Sequence, residues 1–272
     1  IITIIETILE NKRVIVIRYP SLHRKNELGA KILISWGPNI GFHPLICDGY
    51  NADFDGDKAS VYLIELPKAV REVDELLLPS RDLFSAQGEP MVIPTQDVII
   101  GAYWITKDPD KNDTEPIEYA TIEEAERDYI FGKLKHNKLI SVPIPAYNQS
   151  EYLKNISIEL TRIKNGVTYL RKTQVLAGLT AIDIRETEDT RVMTTTLGKI
   201  LFNRCIPQDI GFVNRNVDKY QLECTERVTK KVMSRLFERI AHRKTNNETA
   251  YIADTVKDFG YKCATMCGLS MS

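Results

Sequence analysis

Residues 51–57 read Asn51, Ala52, Asp53, Phe54, Asp55, Gly56, Asp57, and Ser60–Glu65 just beyond reads Ser-Val-Tyr-Leu-Ile-Glu. The aspartates alternate with residues that do not ionise. In an extended chain their side chains share one side. In a tight loop, Gly56 lets the backbone fold so that they converge. Three carboxylates that close repel one another and cannot all stay ionised without a partner. A hard divalent cation answers that repulsion, and Mg2+ prefers an octahedron of oxygens that leaves room for substrate phosphates. Two other readings compete. Asp, Asn and Gly are common turn formers, so the loop suits a solvated turn. It also resembles a calcium loop: counted from Asn51, Asp53 and Asp55 fall at positions 3 and 5 and Gly56 at position 6. Against that, Tyr62 stands at position 12, where a bidentate Glu is needed. Ser60–Glu65 moreover reads as a strand, not the exit helix of an EF-hand.

Working outward, the chain predicts an α+β fold. Arg13–Ile17 and Lys31–Ser35 are short apolar runs bounded by charge, Pro or Gly, as buried strands are. Pro67 opens a helix carrying Ala69, Val70, Val73, Leu76 and Leu77 at helical spacing. A second helix is expected from Pro94 to Thr106, where Gln96 and Asp97 suit capping. Lys107–Pro116 is charged and reads as a loop. Thr121 and Glu124 match a capping box that starts a helix to about Lys133. Gly166–Leu170 is a β-like piece. Asp218 is placed to cap a long helix to Arg243 with Val228, Val232, Leu236 and Ile240 on one face. A last helix is expected over Asn247–Phe259, with Gly260 as its C-terminal cap. The composition shifts near residue 107. We therefore expect residues 1–106 to be β-containing with the carboxylate loop and following helices, and residues 107–272 to be mixed and mostly helical.

Lys plus Arg total 36 against 37 Asp plus Glu, which excludes a globally basic nucleic-acid coat but not a local basic groove. Arg227, Lys230, Lys231, Arg235, Arg239, Arg243 and Lys244 are such a cluster. Glu223, Glu226 and Glu238 interleave with them, which favours a salt-bridged solvated face. No apolar run approaches the ~20 residues of a membrane span. Cys47, Cys205, Cys224, Cys263 and Cys267 are odd in number and mostly distant, which favours free thiols in a reducing compartment over a disulfide framework. Cys263 and Cys267 lack the second ligand pair that a zinc site needs. The chain starts at Ile1 with no visible leader, the pattern of a processed, trimmed or internal boundary.

Residues 51–57 resemble the catalytic signature of the largest (beta-prime) subunit of bacterial-type multisubunit DNA-directed RNA polymerases. The resemblance continues in order along the chain. Arg18–Arg24 is similar to the upstream RxPxLHR segment, and Phe42–Cys47 to the segment leading into the aspartates. Gly88–Pro90, Ile93–Asp97, Gly101 and Tyr103 follow the GxP and PTQDxxxGxY pattern. Thr195–Gly198 with Ile200, Phe202 and Asn203 follows TTxGRxxFN, and Phe259–Tyr261 with Gly268–Ser270 is similar to the rim region. Lys58 and Ala59 depart from the usual Gln-Met or Glu-Met, and Ile17 from the usual Asn, as in a divergent lineage such as a split, phage-encoded subunit.

The resemblance implies part of a double-psi β-barrel carrying the metal loop, followed by a mainly helical pore and rim region. It implies Mg2+-dependent nucleotidyl transfer of NTPs onto an RNA 3′ end, with a two-metal mechanism whose second ion arrives with the NTP. Asp53, Asp55 and Asp57 are then the catalytic metal ligands. Arg18 and Asn51 face the ribose of the incoming nucleotide; read alone, they also suit a structural ion pair and a turn. His23 and His43 read as structural hydrogen-bonding histidines. Lys58 either balances the acidic loop or points to solvent. The implied partners are the DNA template, the RNA transcript, the second-largest (beta-like) subunit and the rest of the largest subunit. The implied location is cytoplasmic: the nucleoid, or an infected cell or virion if phage-encoded. The alternative is a non-catalytic metal-binding assembly module of such a complex.

Overall fold

The computed structural model describes residues 2–35, 37–84, 90–147, 160–162, 168–170 and 190–268. The fold is mixed α and β with small sheets, and no barrel closes among the described residues. It divides into two units, Ile1–Thr95 with Ile240–Asp254, and Gln96–Arg239 with Thr255–Ser272. No helix among the described residues is long and apolar enough to cross a membrane.

The first unit opens with α1 (Ile2–Leu9), then β1 (Arg13–Arg18), β2 (Glu27–Lys31) and β3 (Ala59–Ile64). The sheet order is β2-β1-β3, antiparallel throughout, with Val16 opposite both Leu28 and Val61. Alternation along β1 buries Val14 and Val16. Strands β1 and β3 fall where the apolar runs predict. Strand β2 does not: Lys31–Ser35 was expected, yet pairing ends at Lys31. That residue lies opposite Arg13, the first residue of β1, so Ile32 lies beyond the end of the strand it would pair with. Leu33 is accordingly 90% exposed. Helix α3 (Pro67–Glu72) continues as a π-helical turn, Val73–Leu77. That turn packs on Gly29, where a Cβ would fall within 3.0 Å of the Val73 side chain.

The second unit holds α4 (Asp97–Ile105), β4 (Ile117–Glu118), α5 (Ile122–Ile130), β5 (Leu139–Pro145), β6 (Leu160–Arg162), β7 (Thr168–Leu170), β8 (Thr190–Thr196) and α6 (Leu197–Asn203). The chain then runs through α7 (Lys230–Arg243), of which Lys230–Arg239 belong to this unit, and α8 (Asn246–Cys267), of which Thr255–Cys267 do. Strands β4, β5 and β8 form one sheet in that order, and β6 pairs with β7. Gly166 and Val167 of the expected β-like piece lie outside the described residues, as do Gly88, Leu269 and Ser270 of the family-like segments. Ile140 and Val142 of β5 bury against Ile122 and Ala125 of α5 and Leu197 and Ile200 of α6. Thr121 Oγ1 accepts the Glu124 N–H, while the Glu124 carboxylate reaches the Ala120 N–H rather than closing the capping box on Thr121.

Three helix boundaries differ from expectation. Asp218 does not cap α7. It accepts the N–H groups of Tyr220 and Gln221 in a local turn, and the helix starts at Lys230. Gly260 does not end α8. The helix runs through it to Cys267, and Gly268 takes the positive φ of +61°. Gly260 is bare because the Val98 backbone and side chain lie where its Cβ would be. Gln96 has φ +51° and makes no side-chain cap; its carbonyl instead accepts Ile99 and Ile100 N–H.

His136 stacks on Trp104 with ring centroids 4.0 Å apart. Burial, the largest cause, together with Lys107 holds its imidazole below the ordinary value of 6.5. The unfolded chain therefore takes up the proton first as pH falls, so stability is lost from about pH 6.5 downward. The urea midpoint is expected to fall between pH 7.5 and 5.5 by more in the native chain than in His136→Gln. Equal falls would remove the assignment.

Candidate metal centre

The carboxylate loop is mounted by its own flanks. A 3-10 turn over Pro44–Ile46 leads into α2 (Cys47–Tyr50). The Asn51 N–H bonds to the Asp48 carbonyl and the Ala52 N–H to the Cys47 carbonyl, which closes the turn. Asn51 itself is left-handed at φ 47°, a conformation that asparagine tolerates better than most residues. Gly56 has φ +121°, which glycine alone adopts without strain.

Tyr50 is the anchor, and the sequence reading missed it. It is 1% exposed, and its hydroxyl donates to the Val16 carbonyl (2.9 Å) and accepts from the Leu28 N–H (3.0 Å). It thus bridges β1 and β2 where those two residues face each other. Burial pushes its pKa up to about 12. Phe42 packs edge-on against the ring at 4.7 Å. Its place beside Asn51 was the only available signal, because a lone Tyr gives no periodicity. Tyr50→Phe leaves two buried backbone groups unpaired, and we expect a loss of about 1–3 kcal/mol in urea unfolding.

The loop brings Asp53, Asp55 and Asp57 together: one carboxylate oxygen from each lies within 4.8 Å of the others, all exposed. Among the described residues no other group of His, Cys, Asp or Glu clusters in this way. The Arg18 Nε donates to Asp57 Oδ2 at 2.8 Å, and its Nη1 reaches the Tyr50 carbonyl at 3.4 Å. The Asp53 N–H also donates to Asp57 Oδ2, at 3.2 Å. These two donors, Arg18 first, hold the Asp57 carboxyl below the usual range. Asp55 moves the other way. Its hydrogen bond with Asp53 and the repulsion between them raise it. The crowding inferred from sequence spacing is therefore present, and it makes the Asp55 carboxyl easier to protonate than an isolated one. Hard oxygen donors at this separation fit a divalent cation such as Mg2+. Asn51 is exposed in the same loop, and Lys58 is exposed beyond it. Tyr62 sits in β3 opposite Ile15, so no exit helix follows and the calcium-loop reading fails.

The other singled-out residues are structural in their contacts. The Nδ1 atoms of His23 and His43 accept the N–H groups of Lys25 and Leu45. In the basic stretch, Arg227 stacks on Tyr103, Arg235 pairs with Glu226, and Arg239 lies over Phe212. Asn203 clamps the Cys224 backbone in both directions, at 2.7 and 2.9 Å. Glu223, with its side chain fully buried, accepts three consecutive N–H groups, Gly211 to Val213, and the Arg215 guanidinium. The sequence offered no signal for that hub. All five cysteines are free, four of them buried.

Two family profiles divide the chain between them. "RNA polymerase Rpb1, domain 2" matches residues 1–78 and "RNA polymerase Rpb1, domain 3" matches residues 83–272. Among curated relatives, the DNA-directed RNA polymerase subunit beta' of Caldanaerobacter subterraneus subsp. tengcongensis is 30% identical over 99% of this chain and 20% of its own length. That of Finegoldia magna is 28% identical over 99% of this chain and 19% of its own, and that of Pelodictyon phaeoclathratiforme 29% over 98% and 16%. The chain thus spans about a fifth of the length of the curated relatives it matches. With both profiles in order along the sequence and the aspartates within the first, the chain belongs to the RNA polymerase Rpb1 family, whose bacterial members are the beta' subunits.

Proposed function

We propose that this chain is the metal-holding part of the largest subunit of a DNA-dependent RNA polymerase, which extends the RNA 3′ end with NTPs and works only in a multisubunit complex. The observation that carries this is the convergence of Asp53, Asp55 and Asp57 within 4.8 Å on an anchored loop. Bound there, Mg2+ would supply charge neutralisation at the reacting phosphate and acidify the attacking hydroxyl, with a second ion brought by the NTP. The protein's part is positioning and electrostatics. The three aspartates hold the ion, and Tyr50 and the turn before it hold the aspartates. Arg18 and Asn51 stand beside them to contact the ribose, where a guanidinium and an amide read a 2′-hydroxyl.

The finer architecture follows the same reading. Residues 1–106 form the part of a double-psi barrel that carries the loop. The open edges of β2 and β3 pair with strands from the rest of the largest subunit, and residues 107–272 form the pore and rim. The working complex includes the second-largest subunit, DNA and RNA, in the cytoplasm.

The test is Mg2+-dependent RNA synthesis by the assembled polymerase with and without Asp55→Asn. Synthesis near the native rate in the variant sinks the catalytic reading and leaves an assembly module. Arg18→Ala is expected to raise the KM for NTPs by roughly tenfold and to narrow the preference for ribo- over deoxyribonucleotides. An unchanged preference would assign Arg18 to the Asp57 ion pair alone.

A further inference from the structure

We propose that His43 and Asp254 form a positioning pair for the carboxylate loop, so that the first-unit part of α8 sets the tilt at which Asp53, Asp55 and Asp57 are presented. This rests on the metal-centre reading above.

Both ring nitrogens of His43 are committed. Nδ1 accepts the Leu45 N–H at 3.3 Å, so the proton of the neutral ring sits on Nε2, which lies 3.1 Å from Asp254 Oδ1. The His43 carbonyl accepts the Ile46 N–H at 3.1 Å and the Cys47 thiol at 3.7 Å. His43 is therefore the first fixed residue of the turn that ends at the metal ligands. From it the hydrogen-bonded path is unbroken: the 3-10 turn, α2, then the Asn51 and Ala52 N–H groups closing back on Asp48 and Cys47. Tyr50 fixes the far end of that turn and the imidazole fixes the near end.

Asp254 is not a floating surface acid. It lies in the part of α8 that belongs to the first unit. Asn246, where that helix starts, donates to the Arg81 carbonyl at 2.7 Å, and the His242 ring lies 6.1 Å from Phe84. The next residue, Asp82, holds Lys25 and Arg24. The helix segment is thus tied to the unit at its first turn and again at Asp254. The His43 and Asp254 side chains remain 45% and 27% exposed. A pair that open adds little to global stability, so its effect falls on local geometry.

The test uses the polymerase assembled with its companion subunits and reads the Mn2+ dissociation constant by electron paramagnetic resonance, beside the Mg2+ concentration for half-maximal RNA synthesis. A variant that merely lowers the folded fraction reduces the amplitude and leaves both values unmoved. His43→Asn keeps an acceptor for the Leu45 N–H but is too short for Asp254. Asp254→Leu removes the acceptor for Nε2–H, and Asp254→Asn retains one. The first two are each expected to raise both values roughly three- to tenfold, below the 10–100-fold of a partner bonded directly to a metal ligand. Their combination should do no more than the worse single change, and Asp254→Asn should recover most of the native value. An unmoved Mn2+ dissociation constant in Asp254→Leu, or multiplied effects in the double variant, overturns the pair. If His43→Asn fails to assemble, the two Asp254 variants decide alone. Asp55→Asn in the same assembly separates the two ideas. Lost synthesis there with an unmoved Asp254→Leu sinks only the pair, whereas retained synthesis sinks the metal centre.

Discussion

Asp55→Asn is expected to lower RNA synthesis by the assembled polymerase by roughly a thousandfold, the upper range for removing one preorganised electrostatic group at a reacting centre. The substitution is nearly isosteric and the side chain is exposed, so folding should be unaffected. What changes is charge. Asp55 hydrogen-bonds Asp53, and that bond together with their repulsion raises its pKa. An amide there relieves the repulsion, so the metal-free loop is no less stable. It also removes a negative ligand from a site built of three, which weakens the hold on a divalent cation. The signature is therefore a divergence: an unchanged urea midpoint with lost activity and lost Mn2+ binding, the latter read by electron paramagnetic resonance. Asp57→Asn should behave differently. Asp57 is ion-paired to Arg18, so its loss also frees the guanidinium. A variant polymerase with Asp55→Asn that binds Mn2+ and synthesises RNA normally would remove the metal centre from these residues.

Gly198→Val is the second large effect, and it acts on folding. Gly198 lies in the first turn of α6, its N–H bonded to the His136 carbonyl at 2.9 Å. A Cβ there would sit well inside 3.0 Å of the Ile105 carbonyl and within 3.4 Å of the His136 carbonyl. The obstacles are backbone atoms, which cannot rotate away as a side chain does. Helix α6 must retreat from α4, opening the core at Leu197, Ile200 and Phe202, all 3% exposed or less. We expect a loss of about 3–5 kcal/mol, a large share of a typical domain's stability. Urea unfolding followed by tryptophan fluorescence would show it, and a midpoint within error of the native chain would remove the close-packing argument. Gly101 makes the same case, because the Gly260 carbonyl occupies the place of its Cβ. These glycines explain two of the family-like segments physically. The chain passes backbone against backbone at those points, and any side chain blocks it.

Local patterns were legible where the physics is local. The short apolar runs in Arg13–Ile17 and Ser60–Glu65 marked β1 and β3, and Pro67 and Thr121 marked helix starts, because these signals depend on a few adjacent residues. Above all, the spacing of Asp53, Asp55 and Asp57 around Gly56 pointed to the convergence of the carboxylates that the structure shows. Everything set by a distant partner waited for the tertiary structure. Strand β2 sits at Glu27–Lys31 because β1 supplies a partner only as far as Arg13. Asp218 was spent on a turn and α7 began later, and α8 ran through Gly260 because Val98 packs there. Arg18 meets Asp57 from 39 positions away, and Tyr50 reaches β1 from 34. Sequence alone determined which carboxylate oxygens come together, since covalent spacing delivers them to one another. The anchoring that holds those atoms still was decided only in three dimensions, because it is made of hydrogen bonds between residues that the chain itself keeps far apart.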